Sequence, residues 1–138
     1  MVTGWAKKAF LSSLDGIRGG RLVVQCPDRT YEFGEPGELD AVLICDAYYE
    51  MEQPVALLRN AALALKKNGR LGIVEFTTAG GGPGPPMDER VDPERVIREA
   101  SEAGLRLIAR PNMLRYQYML VFAKADATAT RGRESRKQ

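Results

Sequence analysis

Residues 38–76 place the tightest constraint on how this chain can fold. Two short apolar runs, Val42-Leu43-Ile44-Cys45 and Leu71-Gly72-Ile73-Val74, flank a single helical pattern. Each run is apolar at consecutive positions, as expected of strands buried on both faces of a parallel sheet. Pro54 suits the first position of a helix, and Leu57, Leu58, Ala61, Ala62 and Leu65 recur at helical spacing. Lys66 and Lys67 suit the last turn of that helix, and Asn68-Gly69 suits its stop. The pattern predicts a βαβ unit, with strands over 40–46 and 70–76.

The flanking segments predict the rest of an α/β fold. Residues 3–18 read as a helix capped by Thr3, with Trp5, Ala9, Phe10, Leu14 and Ile17 on one stripe. Residues 21–26 and Tyr31-Glu32-Phe33 read as two arms of a hairpin around the turn Pro27-Asp28-Arg29-Thr30. Residues 77–92 hold too much Gly and Pro for regular structure and read as a long mobile loop. Asp92 caps a helix that starts at Pro93, carries Val96, Ile97 and Ala100, and ends at Gly104. A strand follows at 105–110. A second, at 114–123, alternates with Leu114, Tyr116, Tyr118, Leu120 and Phe122 on one face and should pair antiparallel. Residues 125–138 are charged and poor in apolar side chains, which predicts a disordered tail. Residues 1–124 then form one domain.

Composition narrows the chemistry. The chain has 138 residues, 44% hydrophobic and 28% charged, with net charge +2, so no strong electrostatic case exists for nucleic acid. No apolar run approaches a membrane span, and no secretory pattern opens the sequence. Cys26 and Cys45 are the two cysteines and read as reduced thiols of a cytoplasmic protein. Histidine is absent, which excludes Ser-His-Asp and Cys-His nucleophile chemistry and His-ligated metal sites. No metal site is expected. Proton transfer falls to Asp, Glu, Tyr, Lys or a thiol.

The run from Glu38 through Asp46-Ala-Tyr-Tyr-Glu50, then Pro54, then Leu65-Lys-Lys-Asn-Gly-Arg-Leu-Gly-Ile-Val-Glu-Phe76, resembles a known pattern. It is similar to the fourth strand, following helix and fifth strand of class I S-adenosylmethionine-dependent methyltransferases. The resemblance runs on to about Lys124 through Gly84-Pro85-Pro86-Met87, Arg90, Ala103-Gly104-Leu105 and Arg115-Tyr116-Gln117-Tyr118. Tyr49 and Glu50 stand where the family often has two histidines, and Lys67-Asn68 replaces Pro-Gly. The family's first half, with its glycine-rich cofactor turn, has no counterpart in these residues. Gly80-Gly81-Gly82-Pro83-Gly84 follows the wrong strand, contains a proline, and runs into Pro85-Pro86 instead of a helix. A shorter resemblance, over residues 20–34, is to the hairpin near the start of cyclopropane-fatty-acid synthases.

The resemblance implies a three-layer Rossmann-like methyltransferase half-sheet with an N-terminal helix and hairpin. It implies S-adenosylmethionine as cofactor near Asp46, Ala47 and Glu75, with Tyr48, Tyr49 and Glu50 as catalytic candidates beside the acceptor. In an open α/β sheet, ligands collect beyond the carboxyl ends of the strands, where these residues fall. A purely structural role stays open: Asp46 capping the turn, with the tyrosines packing. With no glycine turn, the isolated chain is expected to bind the cofactor weakly or not at all. Two readings follow. One is a methyltransferase of reduced or partner-dependent form, acting on a small-molecule or lipid acceptor. The other is a non-catalytic binding or oligomerisation module. The strand at 40–46 needs a neighbour on its open edge, which is either covered by residues 21–33 or paired with another chain; the short arm at 31–33 covers little of it. That predicts a homodimer or a protein partner completing the sheet.

Overall fold

The computed structural model describes residues 22–25, 35–80, 82–112 and 114–125. The helix expected over 3–18, Cys26, the hairpin arm Tyr31-Glu32-Phe33 and residues 126–138 of the expected tail lie outside the described residues. The described elements are β1 (Leu22–Gln25), β2 (Leu39–Cys45), α1 (Pro54–Ala64), β3 (Leu65–Phe76), α2 (Pro93–Glu102), β4 (Leu105–Ala109) and β5 (Gln117–Lys124).

The strands form one five-stranded sheet in the order β1-β2-β3-β5-β4. β1, β2 and β3 are parallel, and β5 runs antiparallel to both β3 and β4. The βαβ unit and the antiparallel strand near the C-terminus match the expectation from sequence. The hairpin reading needs correction in one respect. Its first arm lies against β2, and it is parallel, with Leu22 opposite Ala41 and Gln25 opposite Ile44. Residues 26–38 are long enough for a parallel crossover, which needs about a dozen residues.

Consecutive apolar residues in β2 and β3 are explained by burial on both faces. Val42, Ile44, Leu71, Ile73, Leu120 and Phe122 pack beneath α1 and α2 in the main core. Ala41, Leu43, Cys45, Val74, Met119 and Val121 form a second buried cluster. Each large side chain so buried contributes about 2 kcal/mol of transfer free energy. Both described helices supply the main core; the candidate for a third layer, residues 3–18, is outside the described residues.

Three boundaries moved. α1 stops at Ala64, where Leu65 turns extended, and β3 begins at once. Lys66, Lys67 and the Asn68-Gly69 stop are therefore strand residues. Pairing is the cause: Leu65 lies opposite Leu39 and is fully buried, and the Lys66 ammonium is 3.3 Å from Asp40. β5 starts at Gln117 instead of 114, and Leu114 packs on the second cluster while Tyr118, Leu120 and Phe122 pack on the first. In the loop 77–92, expected to be mobile, the described residues make anchoring contacts. Thr77 N–H donates to Tyr116 O at 3.0 Å. Arg90 donates to Pro85 O at 3.0 Å and to Thr77 O at 3.1 Å, with its guanidinium 5.6 Å from the Phe76 ring centroid. Gly84, at φ +131°, lies so close that an added Cβ would meet Phe76 Cδ1 at 2.7 Å.

Candidate functional site

The carboxyl ends of β2 and β3 are where the chemistry-bearing residues meet. After Cys45 the chain leaves the sheet through Asp46, whose φ of +53° lies in the left-handed region. Aspartate is among the few residues that enter it without glycine, because its short polar side chain bonds locally. Asp46 N–H donates to Val74 O at 2.9 Å, extending the β2–β3 pairing by one bond. Its carboxylate accepts from the Gln117 side chain at 2.8 Å. Burial pushes the Asp46 carboxyl up from its ordinary value, and the Gln117 hydrogen bond opposes that shift.

Beyond Asp46 the chain makes a 3-10 turn over Tyr48–Glu50. Glu75, the penultimate residue of β3, holds this turn to the sheet by accepting the Tyr48 N–H at 2.7 Å. Only 4% of Glu75 is exposed, and it is the one buried charged or polar residue among those described. Burial is the main cause pushing its carboxyl up to about 7; the charges of Asp46 and Glu50 add to the shift, and the Tyr48 and Ala47 N–H groups oppose it. A buried carboxylate without a cation partner is costly, so the group keeps its proton into the neutral range.

The six residues singled out from sequence divide into two groups. Asp46 and Glu75 stand together, with Ala47 buried between them and the turn. Tyr48 points inward and is fully buried. Its hydroxyl donates to Glu99 Oε1 at 2.9 Å, and Arg95 Nε donates to the same oxygen at 2.9 Å. Burial and Glu99 push the Tyr48 hydroxyl far above its ordinary value, so it has no access to the phenolate near neutral pH. Tyr49 and Glu50 face outward, with Tyr49 51% exposed. Sequence reasoning missed Gln117 and Glu99 as partners. Gln117 was visible within Tyr116-Gln117-Tyr118, but nothing local tied it to Asp46. The Tyr118 hydroxyl donates to Val91 O at 2.8 Å, so that tyrosine has a packing and anchoring role.

Glu50 also borders a cleft of about 410 Å³ that continues along α1 past Met51, Glu52, Gln53, Leu57 and Asn60. This volume is within the range of small-molecule sites. Among the described residues, no helix is long and apolar enough to cross a membrane.

No protein-family model matches this sequence, and no curated protein matches it. Solved structures do. A protein from Sulfolobus solfataricus assigned to the type 11 methyltransferases superposes with a TM-score of 0.68 at 16% identity, covering 91% of this chain and 80% of that one. An S-adenosylmethionine-dependent methyltransferase from Aquifex aeolicus gives 0.68 at 14% identity, over 90% of this chain and 79% of that one. The O-methyltransferase NcsB1 of neocarzinostatin biosynthesis, solved with S-adenosyl-L-homocysteine and 1,4-dihydroxy-2-naphthoic acid, gives 0.61 at 15% identity. That match covers 88% of this chain and 46% of NcsB1. The described sheet and helices therefore have the Rossmann-like α/β fold of the S-adenosylmethionine-dependent methyltransferases.

Proposed function

We propose that this chain is an S-adenosylmethionine-dependent methyltransferase-like protein, in which the carboxyl ends of β2 and β3 face the cationic part of the cofactor. The observation that carries this reading is the pair Asp46 and Glu75, two carboxyl groups held together at the ligand-collecting edge of a methyltransferase-type sheet. When bound, S-adenosylmethionine supplies an electrophilic methyl group on a positively charged sulfur. Carboxyl groups whose charge is suppressed by burial suit a cationic ligand, because a positive charge restores their ionised form.

The donor set fits that end of the cofactor and no more. The 138 residues contain no E/D-x-G-x-G-x-G turn for the adenosine end, and Gly80–Gly84 belongs to the loop after β3. The cofactor site is therefore incomplete in the isolated chain, and affinity for the cofactor is weak. Tyr49 and Glu50 stand on the acceptor side, with Tyr48 and Ala47 positioning the turn. The lipid acceptor implied by residues 20–34 rests on a stretch of which only 22–25 are described.

Calorimetric titration of the chain with S-adenosylmethionine and S-adenosylhomocysteine tests the reading. Saturable binding weaker than about 10 μM (roughly −7 kcal/mol) is expected. Tighter binding would remove the claim of an incomplete site. No binding at several millimolar, on the order of −3 kcal/mol, would remove the cofactor itself. A second chain completing the sheet is part of the proposal, most simply as a two-fold homodimer. Its support is the outer edge of β1, with which no described strand pairs.

A further inference from the structure

The cleft beside the 3-10 turn has a lining that selects by charge. Its floor is apolar, from Met51 and Leu57, which are 6% and 5% exposed. Glu50, Glu52, Gln53 and Asn60 also line it, two carboxylate-bearing and two amide-bearing residues. Among the described residues, none makes a hydrogen bond or ion pair with these four side chains. No lysine or arginine is among the described residues lining the space. The Glu50 charge is also felt by Glu75, the buried carboxyl at the end of β3.

An anionic ligand would meet two carboxylates there and no lysine or arginine among the described lining residues. A neutral alcohol would gain hydrogen bonds to the amides but nothing from the charges. A protonated aliphatic amine satisfies both parts, with its ammonium between Glu50 and Glu52 and its hydrocarbon body on Met51 and Leu57. We propose that this cleft binds a small aliphatic amine as the ammonium ion. Where the methyltransferase reading of the preceding section holds, on which this clause rests, such an amine is the class of acceptor.

The test is a titration of the full chain with hexylammonium, 1-hexanol and hexanoate, followed by NMR on the Met51 methyl and without cofactor present. The three probes share one hydrocarbon body and differ in the head group. Hexylammonium should bind at least about tenfold more tightly than hexanol, since a hydrogen bond to a charged group is worth roughly a factor of ten. Hexanoate should not bind. Glu50→Gln and Glu52→Gln should each weaken hexylammonium by about tenfold while leaving hexanol unchanged, again on the scale of one charged hydrogen bond. Both positions are exposed, so the fold tolerates the changes, and circular dichroism confirms it. Equal binding of the three probes, or undiminished hexylammonium binding in both variants, would overturn the proposal. Hexylammonium binding in a chain that fails to bind S-adenosylmethionine would support the amine site and end the methyltransferase reading.

Discussion

Glu75 concentrates the unusual electrostatics of this protein in one residue. Its carboxyl is raised from 4.5 to about 7 by burial first, with Asp46 and Glu50 adding. Tyr118 is its cross-strand neighbour and also faces it. Between those two values the unfolded chain has lost the proton that the folded chain retains. Stability from this group is therefore complete below about pH 4.5 and lost as pH rises to about 7. The slope is at most about 1.4 kcal/mol per pH unit. Glu75→Gln keeps an acceptor for the Tyr48 N–H and removes the titration. Urea midpoints at pH 5, 6, 7 and 8 should show the variant gaining on the parent up to neutrality and then running parallel. Parallel profiles over the whole range would show that the raised carboxyl is not a feature of the protein in solution.

Among the elements, the segment after β3 departs most from what its composition suggests. Six glycines or prolines lie between Gly80 and Pro85, yet Arg90 ties the segment back to Thr77 and Pro85. Gly84 allows close approach to Phe76 and adopts a φ that side chains rarely accept. Gly82 does the same against Tyr116. Arg90→Ala removes two hydrogen bonds from a charged donor, a local loss of about 1–3 kcal/mol. Gly84→Ala adds crowding and backbone strain of about 1–3 kcal/mol. Both variants should be cut by proteinase K within 77–90 several-fold faster than the parent, with β2 and β3 left intact. Cleavage of the parent at the same rate as the variants would mean that the anchors do not hold the loop. First cleavage inside α1 or β3 would mean that the βαβ unit is not the stable core.

For the whole molecule, the open question is what covers the sheet's outer edge. β1 covers the edge of β2 that was expected either to be covered by residues 21–33 or to pair with another chain, lying against Ala41 to Ile44. Among the described strands none pairs with the outer edge of β1, and unpaired strand edges are templates for association. Light scattering at about 100 μM, a concentration at which a weak dimer of roughly −6 kcal/mol is populated, should report a dimer. A well-folded monomer would refute association. A chain lacking residues 1–19 that stays a soluble dimer would place the contact elsewhere than on the Trp5, Phe10 and Leu14 stripe.

How much could be read without the fold follows from the range of the interactions involved. The βαβ unit was legible because burial on both faces writes consecutive apolar residues into Val42–Cys45 and Leu71–Val74, and because α1 writes its own period. The cap of α2 was legible for the same local reason: Asp92 accepts the Glu94 N–H at 2.9 Å, two residues away. Asp46, Glu75 and the Tyr48–Glu50 turn could be placed together from strand ends alone. Their partners could not. Gln117 lies 71 positions from Asp46, and Glu99 lies 51 from Tyr48. Local propensity also misplaced the end of α1, since Lys66 to Gly69 is a good helix ending in isolation. Pairing with Leu39 and burial of Leu65 outweighed that preference by a few kcal/mol at most. Such contacts exist only after the chain has folded, so they leave no periodic trace in the order of its residues.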